Sequence, residues 1–212
     1  MPLPKGAEHL GDIAKKIGDA EGVSPWLILG ICYAESNFGQ ALKPKGPEGS
    51  GDFIPRPCSP DRDKRMKEFP LPGVVKKTLA EGIPARKLAG PVEAWVPTHT
   101  GWGCGLMQFD YEAHFEFCKS GQWKEPAIIM RHACGLLKSN RKTLKKMLPS
   151  LEGAALDRAT IASYNAGCGR VSKFLKEGKS LDACTFHPGY VDKICNKADE
   201  LAGASGAWLF KD

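Results

Sequence analysis

Apolar residues recur at helical spacing through most of this chain and lose that rhythm in one long central stretch. Leu10, Ile13, Ala14 and Ile17 share one face of a helix predicted over 7–20. Ser24 and Pro25 form an N-cap and N1 pair, which opens a second helix ending near Gly39. Its run WLILGICYA, from Trp26 to Ala34, is apolar on every side, and a carboxylate follows at once at Glu35. Further helices are predicted over 111–120, 126–140, 142–148, 154–166, 170–177 and 190–202. Pro126 stands at an N1 position, and Gly167 and Gly178 stand where C′ glycines belong. Between them, 101–109 reads as a small β-hairpin or extended turn. The pattern predicts a mainly α chain.

The interruption spans 43–100, where ten of the sixteen prolines fall among glycines and charges. Short helices fit at 60–69 and 74–80. A structureless loop of that length is unusual, so the stretch reads as an inserted subdomain or lid within a single domain covering 1–212. A hydrophobic fraction of 42% is enough for a core. The longest apolar run falls short of the roughly 20 residues that cross a bilayer, so no membrane insertion is expected. The first residues, MPLPKGAEHLGD, lack the apolar region of a signal peptide, which leaves export by another route, or a replaced leader.

Eight cysteines, at 32, 58, 104, 118, 134, 168, 184 and 195, include no CxxC and no metal-ligand spacing. Neither a metal nor another cofactor is expected. An even count spread over the chain predicts disulfides and an oxidising compartment, with Cys32 the exception as a thiol buried in its apolar helix. The net charge of +6 favours an acidic partner. The basic run RKTLKK (141–146) reads as a solvated helix face rather than a binding patch. The five histidines show no pairing that suggests a triad or a metal.

Three short stretches carry the chemistry: AESNFG (34–39), GCGLMQFD (103–110) and SYNAG (163–167). In this order they resemble the goose-type lysozymes and lytic transglycosylases of the lysozyme superfamily. That family has Glu-Ser at the end of a buried helix, Gly-Leu-Met-Gln after a small hairpin, and Ala-Tyr-Asn-Ala-Gly late in the chain. GCGRVSKFLKEG followed by TFHPGYVDKI is similar to the family's closing Tyr-Val segment. The resemblance covers 7–42 and 101–202 and leaves the insertion outside. It implies a lysozyme-like, mainly α fold with a small hairpin and a large Pro-rich insertion.

Glycosidic cleavage needs an acid that stays protonated near working pH. Glu35 follows an apolar run at the negative end of a helix, and both desolvation and the dipole disfavour its charged form. Its role as general acid stands against that of a solvated helix-end carboxylate. Ser36 would orient the carboxyl, bind sugar or bond locally at the helix end. Gln108 offers a donor and an acceptor to sugar groups, in a loop whose glycines let backbone approach a ligand. Leu106 and Met107 read as core. Tyr164 and Asn165 match the family's substrate-contacting pair, with a core ring the alternative for Tyr164; Tyr190 would face the cleft from the far side. Ser163 departs from the family's usual Ala.

For the second carboxylate the resemblance offers Asp110, with Asp52 behind it. Asp110 equally suits the N-cap of a helix starting at Tyr111. The implied activity is hydrolysis of the β-1,4 bond between N-acetylmuramic acid and N-acetylglucosamine in peptidoglycan by a monomeric, exported or phage-released enzyme. The rivals are a lytic transglycosylase, which uses the substrate's own hydroxyl, and a non-catalytic glycan-binding module. Nucleic-acid binding would rest on charge alone.

Overall fold

The computed structural model describes residues 3–42, 45–49, 103–110, 113–203 and 210. The insertion apart from 45–49, its two predicted helices, Asp52 and Cys58 lie outside these residues. Among the described residues there are eight α-helices and one two-stranded antiparallel sheet, so the chain is mainly helical. The helices are α1 (His9–Glu21), α2 (Pro25–Ser36), α3 (Phe115–Ser120), α4 (Pro126–Met147), α5 (Gly153–Ala166), α6 (Cys168–Lys176), α7 (Leu181–Cys184) and α8 (Tyr190–Ala202). Strands β1 (Gly103–Cys104) and β2 (Phe109–Asp110) pair Gly103 with Asp110 and Cys104 with Phe109. Contacts group the chain into two compact units, Met1–Ala34 with Met130–Asp212, and Glu35–Ile129.

In the first unit, α1 buries Leu10, Ala14 and Ile17 and ends on Gly22 in the left-handed conformation, whose N–H returns to the Gly18 carbonyl. Helix α2 has no polar stripe because Leu27, Ile28, Leu29, Ile31 and Cys32 are all buried. Gly30 lets it approach α8 closely, since a Cβ there would stand 2.8 Å from the Ile194 carbonyl. Helix α8 supplies Tyr190, Val191, Ile194, Cys195 and Ala198 to the core at i, i+1, i+4, i+5 and i+8.

The helix expected to stop at 140 and restart at 142 is one element, α4, of 22 residues. Its buried stripe runs through Met130, Ala133, Cys134, Leu137 and Leu144. Arg141 interrupts that stripe without breaking the helix, because its guanidinium pairs at 3.1 Å with Asp157, a buried carboxylate of α5. Glu21 links α1 to the same helix through Lys138 at 2.5 Å and Arg131 at 3.5 Å.

In the second unit, the hairpin turn rests on aromatic and backbone contacts. The buried Phe109 ring meets His114 edge-on at 4.7 Å and Phe117 at 5.6 Å. Trp123 Nε1 donates to the Cys118 carbonyl at 2.9 Å. The Gly105 N–H donates to the Gly49 carbonyl at 3.1 Å, tying the start of the insertion to the turn. Helix α3 begins at Phe115 rather than at Tyr111.

The expected disulfide framework does not form among the described residues. Cys32, Cys104, Cys118, Cys134, Cys168, Cys184 and Cys195 are thiols, and all but Cys168 are buried. Burial pushes the thiol of Cys134 up to about 12 and that of Cys195 up to about 11. Cys104 is raised further still, first by burial and then by its hydrogen-bonded neighbour Cys118. Thiols held protonated in this way are poor nucleophiles and pack as small apolar groups. No described helix is long and apolar enough to cross a membrane.

Candidate active site

Helix α2 delivers Glu35, half-buried, to the end of its apolar run, and the chain then turns sharply. Asn37, Phe38 and Gly39 all have positive φ, at 49°, 56° and 84°. Two consecutive non-glycine residues in the left-handed region carry strain that the surroundings must offset. Here Ser36 holds the turn. Its Oγ accepts from the Gly39 N–H at 3.0 Å and donates to the Leu106 carbonyl at 2.7 Å. Phe38 is buried, which adds an apolar anchor.

The hydrogen bond to Leu106 reaches the turn of the β1–β2 hairpin, so the ES and GLMQ stretches are joined by one buried hydroxyl. Ser36 is 1% exposed, so its hydroxyl is committed to these two backbone partners. Within the turn, Gln108 takes φ +49° and its Nε2 donates to the Gly105 carbonyl at 2.7 Å. Its amide therefore shapes the loop, and its half-buried side chain lies against Gly103, where a Cβ would come 2.3 Å from Oε1. Gly105 is equally constrained, with φ +64° and the Trp123 carbonyl 2.8 Å from where a Cβ would be. Leu106 and Met107 are buried core.

Asp110 closes the hairpin as the last residue of β2. Its Oδ1 accepts from the Ala113 N–H at 3.1 Å, so the carboxylate caps the turn that leads into α3. Glu35, Ser36, Gln108 and Asp110 thus belong to one compact unit.

Tyr164, Asn165 and Tyr190 belong to the other unit. Tyr164 and Asn165 are half-buried near the end of α5. Asn165 Oδ1 accepts from the Phe186 N–H at 2.7 Å. Tyr190 is 3% exposed at the start of α8, so its ring is part of the core. Ser163, buried as well, donates its hydroxyl to the Thr160 carbonyl at 2.7 Å, which lets a polar residue stand in an apolar helix face. Phe186, absent from the sequence-based candidates, is 66% exposed, with the Arg170 guanidinium 4.9 Å from its ring centroid. Asn165 thereby fixes the backbone at an exposed aromatic residue that a cation already covers on one face. The HPG turn after it was the available signal, since a turn there presents its neighbours outward.

One cation bears on the helix that carries Glu35. Lys193 Nζ donates to the carbonyl of Ala34 at 3.1 Å, and Lys193 and Lys197 flank the Tyr33 ring at 5.2 and 4.6 Å. A cation on a last-turn carbonyl offsets part of the negative end of the dipole. The chain matches no protein-family model and no characterised protein.

Proposed function

We propose that this protein is a peptidoglycan-cleaving glycosidase that protonates the leaving oxygen of the β-1,4 bond between N-acetylmuramic acid and N-acetylglucosamine with Glu35. The observation that carries the reading is the Ser36 bridge. A buried hydroxyl with two hydrogen bonds fixes the strained turn after Glu35 against the Gly-Leu-Met-Gln loop. Strain concentrated beside a half-buried carboxyl supports a preorganised acid over a solvated surface residue.

A lytic transglycosylase is the second reading, and Asp110 favours it. One oxygen of that carboxylate accepts the Ala113 N–H, which gives Asp110 a structural role that needs no activation of water. Mass spectrometry of muropeptides released from purified cell wall tests both. Reducing ends mean hydrolysis, and anhydro ends mean attack by the substrate's own hydroxyl. Release that persists with a folded Glu35→Gln protein would overturn the assignment of the acid. No release by the wild-type chain would leave a glycan-binding module.

A further inference from the structure

We propose that the groove along the C-terminal half of α4 binds a linear phosphodiester polymer with a non-aromatic backbone. This inference is independent of the catalytic reading above. The groove encloses about 690 Å³ between α4, the Gly22 cap of α1 and the first turn of α5. Five cationic side chains, Lys138, Arg141, Lys142, Lys145 and Lys146, line it against two carboxylates, Glu21 and Glu152.

The cations recur every three or four residues, so they share one face of the helix and rise about 5.4 Å per turn. Such a row suits a polymer with one anionic group per repeat of similar length. The pairs are unevenly committed. Lys138 holds Glu21, Lys145 holds Glu152 at 2.6 Å, and Arg141 holds Asp157. Lys142 and Lys146 are exposed and have no carboxylate partner among the described residues. The salt bridges hold the frame of the groove, while these two lysines carry its surplus charge.

The start of α5 adds to the field. Glu152 sits at the N-cap but makes no side-chain cap bond, because Lys145 holds its carboxylate. The positive end of this 14-residue helix's dipole lies beside Gly153, which lines the groove, and the neighbouring Glu152 carboxylate offsets part of it. Lysine ammonium groups act as compact point charges toward phosphate, and the Arg141 fork is already occupied by Asp157.

Among the described residues, Phe210 is the aromatic side chain that lines the groove. The Arg141 guanidinium lies 5.2 Å from its ring centroid, so the covered face is no platform for a base. A polyol-phosphate chain forfeits nothing by that cover.

The test is fluorescence anisotropy of the full chain with a labelled synthetic glycerol-phosphate oligomer across a salt series. The wild-type protein should bind, and Lys142→Gln/Lys146→Gln should weaken binding about tenfold and lower the salt slope by about two. Lys15→Gln/Lys16→Gln, an exposed pair on α1, is the charge-matched control and should change neither. Equal losses from both pairs would reduce the effect to net charge and overturn the proposal. So would absence of wild-type binding, or tighter binding of an oligodeoxythymidine of matched charge.

Discussion

Ser36 Oγ donates a 2.7 Å hydrogen bond to the carbonyl of Leu106, 70 residues further along the chain. Ser36→Ala removes that donor and also leaves the Gly39 N–H without its acceptor, so a loss of about 1–3 kcal/mol is expected. Urea unfolding measures it. Because Ser36 is buried, wall-lysis kcat should fall with KM nearly unchanged, as Glu35 loses its fixed position. A raised KM in a protein of undiminished stability would instead mean that Ser36 touches sugar.

Asp110→Asn separates capping from catalysis. Asn keeps an oxygen for the Ala113 N–H, so unfolding should shift by less than about 0.5 kcal/mol. If Asp110 activates water, turnover should drop about 10²–10⁴-fold. A folded variant with near wild-type lysis would take Asp110 out of the mechanism, and if Asp52→Asn were also harmless and the products carried anhydro ends, the substrate's own hydroxyl would be the nucleophile.

The cysteines give a chemical test of the interior. In denaturant without reductant, at least seven thiols should titrate. In the native protein at mildly alkaline pH, Cys104, Cys134 and Cys195 should resist alkylation, because burial keeps them protonated. Three or fewer thiols in denaturant would restore a disulfide framework and an oxidising compartment.

His132 on α4 is partly buried, and desolvation lowers its pKa below the ordinary 6.5. The unfolded chain therefore takes up this proton first as pH falls, and protonation favours unfolding. Stability from this group is complete above about pH 6.5 and declines below it. Thermal melts should show Tm falling on the acid side, and His132→Gln should flatten part of that fall. An unchanged acid-side profile in the variant would assign the decline to other groups.

Helix α8 is found at 190–202, as its spacing predicts, because its apolar stripe and flanking glycines agree. Arg141 misleads for the opposite reason. A cation in an apolar stripe reads as a break, and the partner that permits it, Asp157, lies sixteen residues away. The left-handed conformations of Asn37 and Phe38 carry no local signal either, since they depend on a hydroxyl reaching Leu106. Order along the chain could bring Glu35, Gln108 and Asp110 to attention. It could not show that Gln108 folds back on Gly105, or that Asp110 holds Ala113. An even cysteine count likewise says nothing about how far apart helices hold the thiols.

Gly103 and Gln108 constrain the order in which mutations can accumulate. A methyl group at Gly103 would come within 2.9 Å of Gln108 Cβ, and Gln108 cannot swing away without losing the bond to Gly105. Gly103→Ala as a first step therefore breaks the turn, whereas glycine at 108, which removes that Cβ and accepts φ +49°, would open room for it. The two positions should vary together among descendants of this chain, with change at 108 preceding change at 103. Random mutagenesis that samples one substitution at a time would miss this route, and paired libraries would find it.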